Sequence, residues 1–351
     1  MKYVQEAYDT NWVAPLGPNV NGFEQDIINY TGVKAVSVLS SGTAAIHLAL
    51  IMLGVDIDDE VLCSSFTFSA SANPIVYQKA IPVFIDSEKE TWNMCPILLE
   101  EAIVDRILNG KTPKAIILVH LYGMPSKMDE IMVVATKYNI PVIEDAAEAI
   151  GSTYKGKAMG TFGDLGVYSF NGNKIITTSG GGALVSNNDE YCKKAIFLAT
   201  QARDDAPHYQ HSEIGYNYRM SNIVAGIGRG QMEVLDNRVA ARRANHVYYQ
   251  ENLASQQEIT FLQEPEGFFS NRWLSCILTK SFEQREKIRF ALAEENIEAR
   301  PLWKPMHEQP VFSKYPAYLN GVSEDLFEKG LCLPSGSNLT KDDLKRVIST
   351  I

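Results

Sequence analysis

From Ala35 to about Val185 the chain alternates short apolar runs with stretches of helical period. The apolar runs predict strands at Ala35–Leu39, Glu60–Ser64, Ile81–Ile85, Lys114–Val119, Pro141–Glu144, Gly166–Phe170 and Ala183–Ser186. Between them, apolar positions recurring every three or four residues predict helices at Thr43–Leu53, Ser69–Gln78, Cys95–Leu108 and Lys127–Tyr138. Repeated strand–helix alternation implies an open, mostly parallel α/β sheet with helices on both faces and right-handed crossovers. After Asn188 the pattern turns helical to about Gln250. A strand candidate at Arg272–Thr279, a charged helix at Ser281–Asn296 and a last helix capped by Thr340 follow. The acids Asp342 and Asp343 suit the positive end of that helix's dipole. This organisation predicts a large domain over residues 1–239 and a small α+β domain over 240–351.

Length and composition agree with that division. The 351 residues, 45% of them hydrophobic, can bury a substantial core. A formal charge of -10 argues against a nucleic-acid surface, so any phosphorylated ligand must be held by local groups. The five cysteines, Cys63, Cys95, Cys192, Cys276 and Cys332, are dispersed and free of any C-x-x-C pair. They read as reduced thiols rather than a disulfide framework or a zinc site. No apolar signal core and no run of membrane-spanning length is present, which predicts a soluble, cytoplasmic protein.

Three segments carry candidate chemistry. Ser40-Ser41-Gly42-Thr43 lies where an apolar strand gives way to a helix, so free backbone N–H groups and the helix dipole create an anion site. Taken alone, such a start is also ordinary capping. Val142-Ile143-Glu144-Asp145 brings acids to the carboxyl end of a strand, where open α/β sheets bind ligands and where one acid could pair with a pyridinium nitrogen. A helix cap is the competing reading. Finally, Lys174 emerges from a loop after Tyr168-Ser169-Phe170-Asn171-Gly172-Asn173, ahead of the triple glycine Gly180–Gly182. Most loop lysines are merely solvated. A lysine beside a phosphate or a pyridinium has a tunable pKa, as a Schiff-base nucleophile requires.

The order and spacing of these three segments resemble the DegT/DnrJ/EryC1/StrS family of sugar aminotransferases over nearly the whole chain. The resemblance implies the type I (aspartate aminotransferase) fold and pyridoxal 5'-phosphate (PLP) as cofactor. It implies that Lys174 carries the cofactor as a Schiff base and that Asp145 pairs with the pyridine nitrogen. Phe68 would stack on the ring and Glu148 contact its phenolic oxygen. The amides of Gly42 and Thr43, with the Ser169 hydroxyl, would hold the phosphate. Asn217 would reach that phosphate from a second subunit, implying a homodimer with shared active sites.

L-Glutamate and a nucleotide-linked keto sugar are the implied substrates, and Lys174 the base that shuttles the proton in both half-reactions. Family dehydratases carry histidine at the lysine position, so Lys174 argues for amino transfer. Asn171–Lys174, Arg300–His307 and the opening Asp9–Pro18 look most like enzymes that aminate UDP-linked 4-keto-6-deoxy-N-acetylhexosamines. Enzymes acting on GDP-linked sugars are near neighbours. By the same similarity Asn171, Arg219 (for the diphosphate) and His307 are substrate contacts, with Trp12 and Trp303 as weaker ones. Relatives carry a short segment ahead of the position of Met1, so the resemblance implies a reading frame that starts short.

Other motifs read differently. Gly226-Ile227-Gly228-Arg229-Gly230 imitates a dinucleotide fingerprint but sits inside a helical stretch, where small residues permit close packing. His208 and His211 lack the acid or cysteine partners of a metal site. His47 is expected to be a satisfied buried polar group. His120, just past a strand, faces the ligand edge. Glu283–Arg289 reads as a solvated helix face.

Overall fold

The computed structural model describes residues 1–256 and 258–351. Its centre is an eight-stranded sheet in the order Ala35–Leu39, Gly182–Ser186, Leu165–Ser169, Val142–Asp145, Ala115–Val119, Glu60–Ser64, Ile81–Ile85 and Ala317–Tyr318. Every pairing is parallel except the two made by Gly182–Ser186, which runs antiparallel to both neighbours. All residues of Glu60–Ser64 and of Ala115–Val119 are buried, as expected of strands covered on both faces.

Side-chain alternation divides the core. Ile116 and Leu118 point to one face, where helices Pro18–Thr31, Pro96–Leu108 and Met128–Tyr138 pack with Phe23, Leu99 and Ile131. Ala115 and Ile117 point to the other face, covered by helices Gly42–Met52, Ser69–Tyr77 and Asp189–Ala199 through Leu48, Ile75 and Leu198. The strands and helices predicted between Ala35 and Ser186 match the observed ones to within about a residue at each end, ordinary scatter for element boundaries.

The long helix Leu235–Leu253 joins two cores. Leu235 and Val239 belong to the large one, whereas Tyr249 and Leu253 belong to a third cluster with Ile277, Leu292 and Leu331. That third cluster underlies a four-stranded antiparallel sheet, ordered Thr260–Phe261, Ser275–Leu278, Gly330–Leu333, Arg300–Pro301. The last helix starts with a capping box: Thr340 accepts from the Asp343 amide, and Asp343 accepts from the Thr340 amide at 2.8 Å. No helix among the described residues is long and apolar enough to cross a membrane.

Three features depart from the expected pattern. Ala317–Tyr318 leaves the C-terminal region and extends the large sheet beside Ile81–Ile85, so residues after 240 are not wholly a separate unit. The expected strand Arg272–Thr279 begins only at Ser275, because Arg272 sits at φ 52° and turns the preceding residues out of the sheet. Helices Lys2–Asp9 and Pro18–Thr31, absent from the pattern reading, pack on Asn222–Met232. Two glycines of Asn222–Met232, Gly226 and Gly228, serve the packing: a Cβ on Gly228 would lie 2.5 Å from the Phe23 ring.

His246 is buried in the small-domain core with no partner for either ring nitrogen among the described residues, edge-on to Phe261 at 5.5 Å. Burial, with Arg272 and Arg243 nearby, lowers its pKa to about 3. The unfolded chain, titrating near 6.5, therefore takes up a proton that the native state refuses. Stability from this group is complete above that value and falls as pH drops toward the folded pKa. His246→Phe is expected to flatten urea-unfolding stability against pH between about 6 and 4, by up to about 1.4 kcal/mol per pH unit. Parallel profiles for the two proteins would refute this.

Candidate active site

At the carboxyl end of Ala35–Leu39 the chain turns directly into helix Gly42–Met52. Ser41 caps it, its hydroxyl accepting from the Ala44 amide at 3.0 Å. Among the described residues nothing accepts from the amides of Gly42 and Thr43, which stay open at the positive end of the helix. Glycine is required around this start. A Cβ on Gly182 would stand 2.3 Å from the Ser41 carbonyl carbon, and one on Gly42 3.2 Å from the Ser169 Cβ. Ser169 ends its strand beside these amides on the wall of one cavity of about 950 Å³.

Val142–Asp145 delivers Asp145 to the same cavity. One carboxylate oxygen accepts from the Ser71 hydroxyl at 2.6 Å and the other from the Ala147 amide at 3.1 Å. Ser71 in turn shares a 2.7 Å hydrogen bond with Thr67. No cation among the described residues pairs with Asp145, although it is 5% exposed. A buried carboxylate without a counter-charge is costly, so the cavity is built for a positively charged partner at this point.

Lys174 sits in the loop after Leu165–Ser169, its amide bonded to the Asn171 carbonyl at 3.1 Å. Its Nζ donates to Glu148 Oε1 at 3.2 Å and lies 4.2 Å above the Trp273 ring. The other Glu148 oxygen accepts from the Tyr122 amide at 2.7 Å. Burial raises the Glu148 pKa above its ordinary value, against the opposing pull of the Lys174 ammonium. Phe68 presents an exposed ring to the cavity, 5.5 Å from that of Trp303.

The structure thus brings together Gly42, Thr43, Phe68, Asp145, Glu148, Ser169, Asn171, Lys174 and Trp303. It does not bring in the other candidates. Asn217 is exposed and bridges Thr200 through its backbone. Arg219 is buried in an ion pair with Glu24 at 2.6 Å and donates to the Val38 carbonyl at 2.8 Å. His307 has both ring nitrogens engaged, with Ser65 at 2.6 Å and Glu324 at 2.9 Å. Trp12 lies on the surface, off the cavity wall.

His120 does not face the ligand edge. It is fully buried, its Nδ1 accepting from the Ser126 amide, which leaves the Nε2 proton for Glu144 at 3.0 Å. His47 is the satisfied polar group expected, bonded to Gln78 at 2.7 Å and Tyr218 at 3.3 Å. His208 and His211 are exposed, and no metal-ligating cluster occurs among the described residues. Trp273, Tyr122 and Ser71 were not anticipated. Arg272-Trp273 reads as the start of a strand, and only the left-handed turn at Arg272 redirects the indole toward Lys174.

Residues 1–351 match the DegT/DnrJ/EryC1/StrS aminotransferase family. The chain is 55% identical to EpsN of Bacillus subtilis, whose name assigns it provisionally to the pyridoxal phosphate-dependent aminotransferases; the match covers 99% of this chain and 91% of that protein. Identity is 38% to the GDP-perosamine synthase of Escherichia coli O157:H7, over 100% of this chain and 94% of that one. It is 33% to the UDP-4-amino-4,6-dideoxy-N-acetyl-beta-L-altrosamine transaminase of Campylobacter jejuni, over 95% and 89%. Among solved structures, a family aminotransferase from Brucella abortus superposes with a TM-score of 0.93 at 29% identity, covering 99% and 93%.

These residues fit pyridoxal phosphate: open amides for a phosphate, an unpaired carboxylate for a protonated ring nitrogen, and a lysine on the wall of the same cavity. Lys174→Ala is expected to abolish covalent retention of the cofactor, read as loss of the protein-bound visible absorption after gel filtration. Asp145→Asn is expected to keep the lysine linkage but lower turnover by about 100-fold or more, as losses of electrostatic stabilisation do. Retention of covalent cofactor in Lys174→Ala, or near-normal turnover in Asp145→Asn, would contradict the assignment.

Proposed function

Because the chain belongs to the DegT/DnrJ/EryC1/StrS aminotransferase family and is a pyridoxal phosphate-dependent transferase, we propose that it moves the amino group of L-glutamate onto C4 of a nucleotide-linked 4-keto-6-deoxy sugar. UDP-4-keto-6-deoxy-N-acetylglucosamine is the first candidate, the activity of a UDP-N-acetylbacillosamine transaminase in surface-glycan or lipopolysaccharide synthesis. The observation that carries the reading is Lys174, held at 3.2 Å by Glu148 in one cavity with the unpaired Asp145 and the open Gly42 and Thr43 amides.

Bound pyridoxal phosphate supplies an electron sink that weakens bonds at the carbon bearing the nitrogen. The chain's own groups do the rest. The Gly42 and Thr43 amides and the Ser169 hydroxyl bind the phosphate. Asp145, steadied by Ser71 and the Ala147 amide, keeps a proton on the ring nitrogen. Phe68, exposed on the cavity wall, would pack against the cofactor ring. Glu148 and Trp273 position the Lys174 amine, which would take a proton from the donor α-carbon and later give one to the sugar carbon. Because Asn217 is exposed, it is available to complete the phosphate site of a partner subunit, so the active unit in this reading is a cytoplasmic homodimer.

A second reading, amination of a GDP-linked keto sugar, is favoured by the higher identity to GDP-perosamine synthase, 38% against 33% for the UDP-sugar transaminase. A dehydratase is disfavoured by Lys174 itself.

Mass spectrometry of products formed from glutamate and a panel of UDP-, GDP- and dTDP-linked 4-keto sugars separates these readings. One aminated sugar is expected, formed by wild type and not by Lys174→Ala. A GDP product would establish the second reading. No aminated product from any member, with cofactor bound through Lys174, would refute the sugar class.

A further inference from the structure

A nucleotide sugar brings a diphosphate to a chain of formal charge -10, so binding must rest on cations at the site. Among the described residues the cavity wall holds three: Lys174, Arg300 and Lys304. Lys174 belongs to the cofactor and is already faced by Glu148. Arg219, to which the resemblance gives the diphosphate, is 8% exposed in its pair with Glu24, itself 14% exposed. Withdrawing it would leave a partly buried carboxylate without its cation.

The other two cations are held loosely. The Arg300 side chain is 79% exposed and its partner Glu298 71% exposed, and Lys304, 43% exposed, approaches Glu308 only to 4.0 Å. Exposed pairs of this kind contribute little, so exchanging a carboxylate for a doubly charged diphosphate costs little and gains charge-assisted, forked hydrogen bonds.

Their backbone, by contrast, is anchored. Arg300 pairs across the sheet with Cys332, and the Trp303 amide donates to the Tyr122 hydroxyl at 2.9 Å. Fixed backbone with free cationic tips suits a flexible anion entering from the mouth. Glu298 stands on the same wall. It holds Arg300 when no anion is present and opposes an anion that arrives.

Resting on the nucleotide-sugar reading above, we propose that Arg300 and Lys304 form the diphosphate subsite of this cavity, with Glu298 as its competing internal anion. The carboxylates of L-glutamate are the other anions that could use these cations, and the test separates the two.

Binding of free UDP and GDP to the cofactor-loaded enzyme is measured by calorimetry at low and high salt, for wild type, Arg300→Gln, Lys304→Gln, the double variant and Glu298→Gln. Retained cofactor absorption checks that each variant is folded. Each single cation variant is expected to weaken nucleoside diphosphate binding about tenfold and raise KM for the keto sugar, with kcat changed less than about twofold. The double variant should lose most of the salt dependence, and Glu298→Gln should bind more tightly than wild type.

The proposal is overturned if the double variant binds UDP and GDP as wild type does while wild type still aminates a nucleotide sugar. It is also overturned if the variants raise KM for glutamate alone. Wild type that neither binds a nucleoside diphosphate nor aminates any nucleotide sugar would instead overturn the functional reading, and this subsite with it.

Discussion

The constraint on which the site depends is the uncompensated charge of Asp145. A carboxylate 5% exposed, with two hydrogen-bond donors and no cation among the described residues, is tolerable only because the cavity can admit a positive group opposite it. The neighbourhood keeps that position free. Lys174, a cation on the same wall, is claimed by Glu148 and by the face of Trp273. Two acids and one base are thereby sorted into a pair, Lys174 with Glu148, and a single buried carboxylate, Asp145.

That sorting is a consequence of sheet topology. Strands Ala35–Leu39, Val142–Asp145 and Leu165–Ser169 end with the anion-binding turn, Asp145 and Ser169 at the cavity. Gly182–Ser186 inserts between two of them, and its glycine lets the Ser41–Gly42 backbone come close. Residues far apart in sequence converge because open α/β sheets gather their loops at one edge. The supporting hydrogen bonds gather at the same edge: Ser71, bonded to Thr67, donates to Asp145, and the Tyr122 amide donates to Glu148.

The elements of the large sheet were legible because strands covered on both faces, such as Glu60–Ser64, read as uninterrupted apolar runs bounded by turn residues. The segments that line the cavity were legible for a related reason: the Ser41–Gly42 turn and Asp145 sit at a helix start and a strand end, while the roles of Glu148 and Lys174 came only from the family resemblance. What escaped depended on long-range geometry. The φ of Arg272, which turns Trp273 away from the sheet, leaves no periodic trace. The burial of Arg219 against Glu24 pairs residues on separate elements, and no spacing rule links them. His307 was placed near the substrate by its segment, yet Met306 and Gln309 line the cavity while the histidine ties Ser65 to Glu324. A motif can mark the correct stretch of chain without telling which of its side chains face inward.

The two-residue strand Ala317–Tyr318 has a consequence for how the protein comes into being. It covers the Phe84–Ile85 end of the outer edge of Ile81–Ile85, an apolar strand whose backbone groups on that side are otherwise unpaired. During synthesis that edge is made early, and its cover emerges from the ribosome only after residues 86–316 have been added. Until then the nascent sheet carries an open strand able to pair with another copy. The growing chain should be most vulnerable to aggregation in that interval, and to any stop codon placed shortly before residue 317.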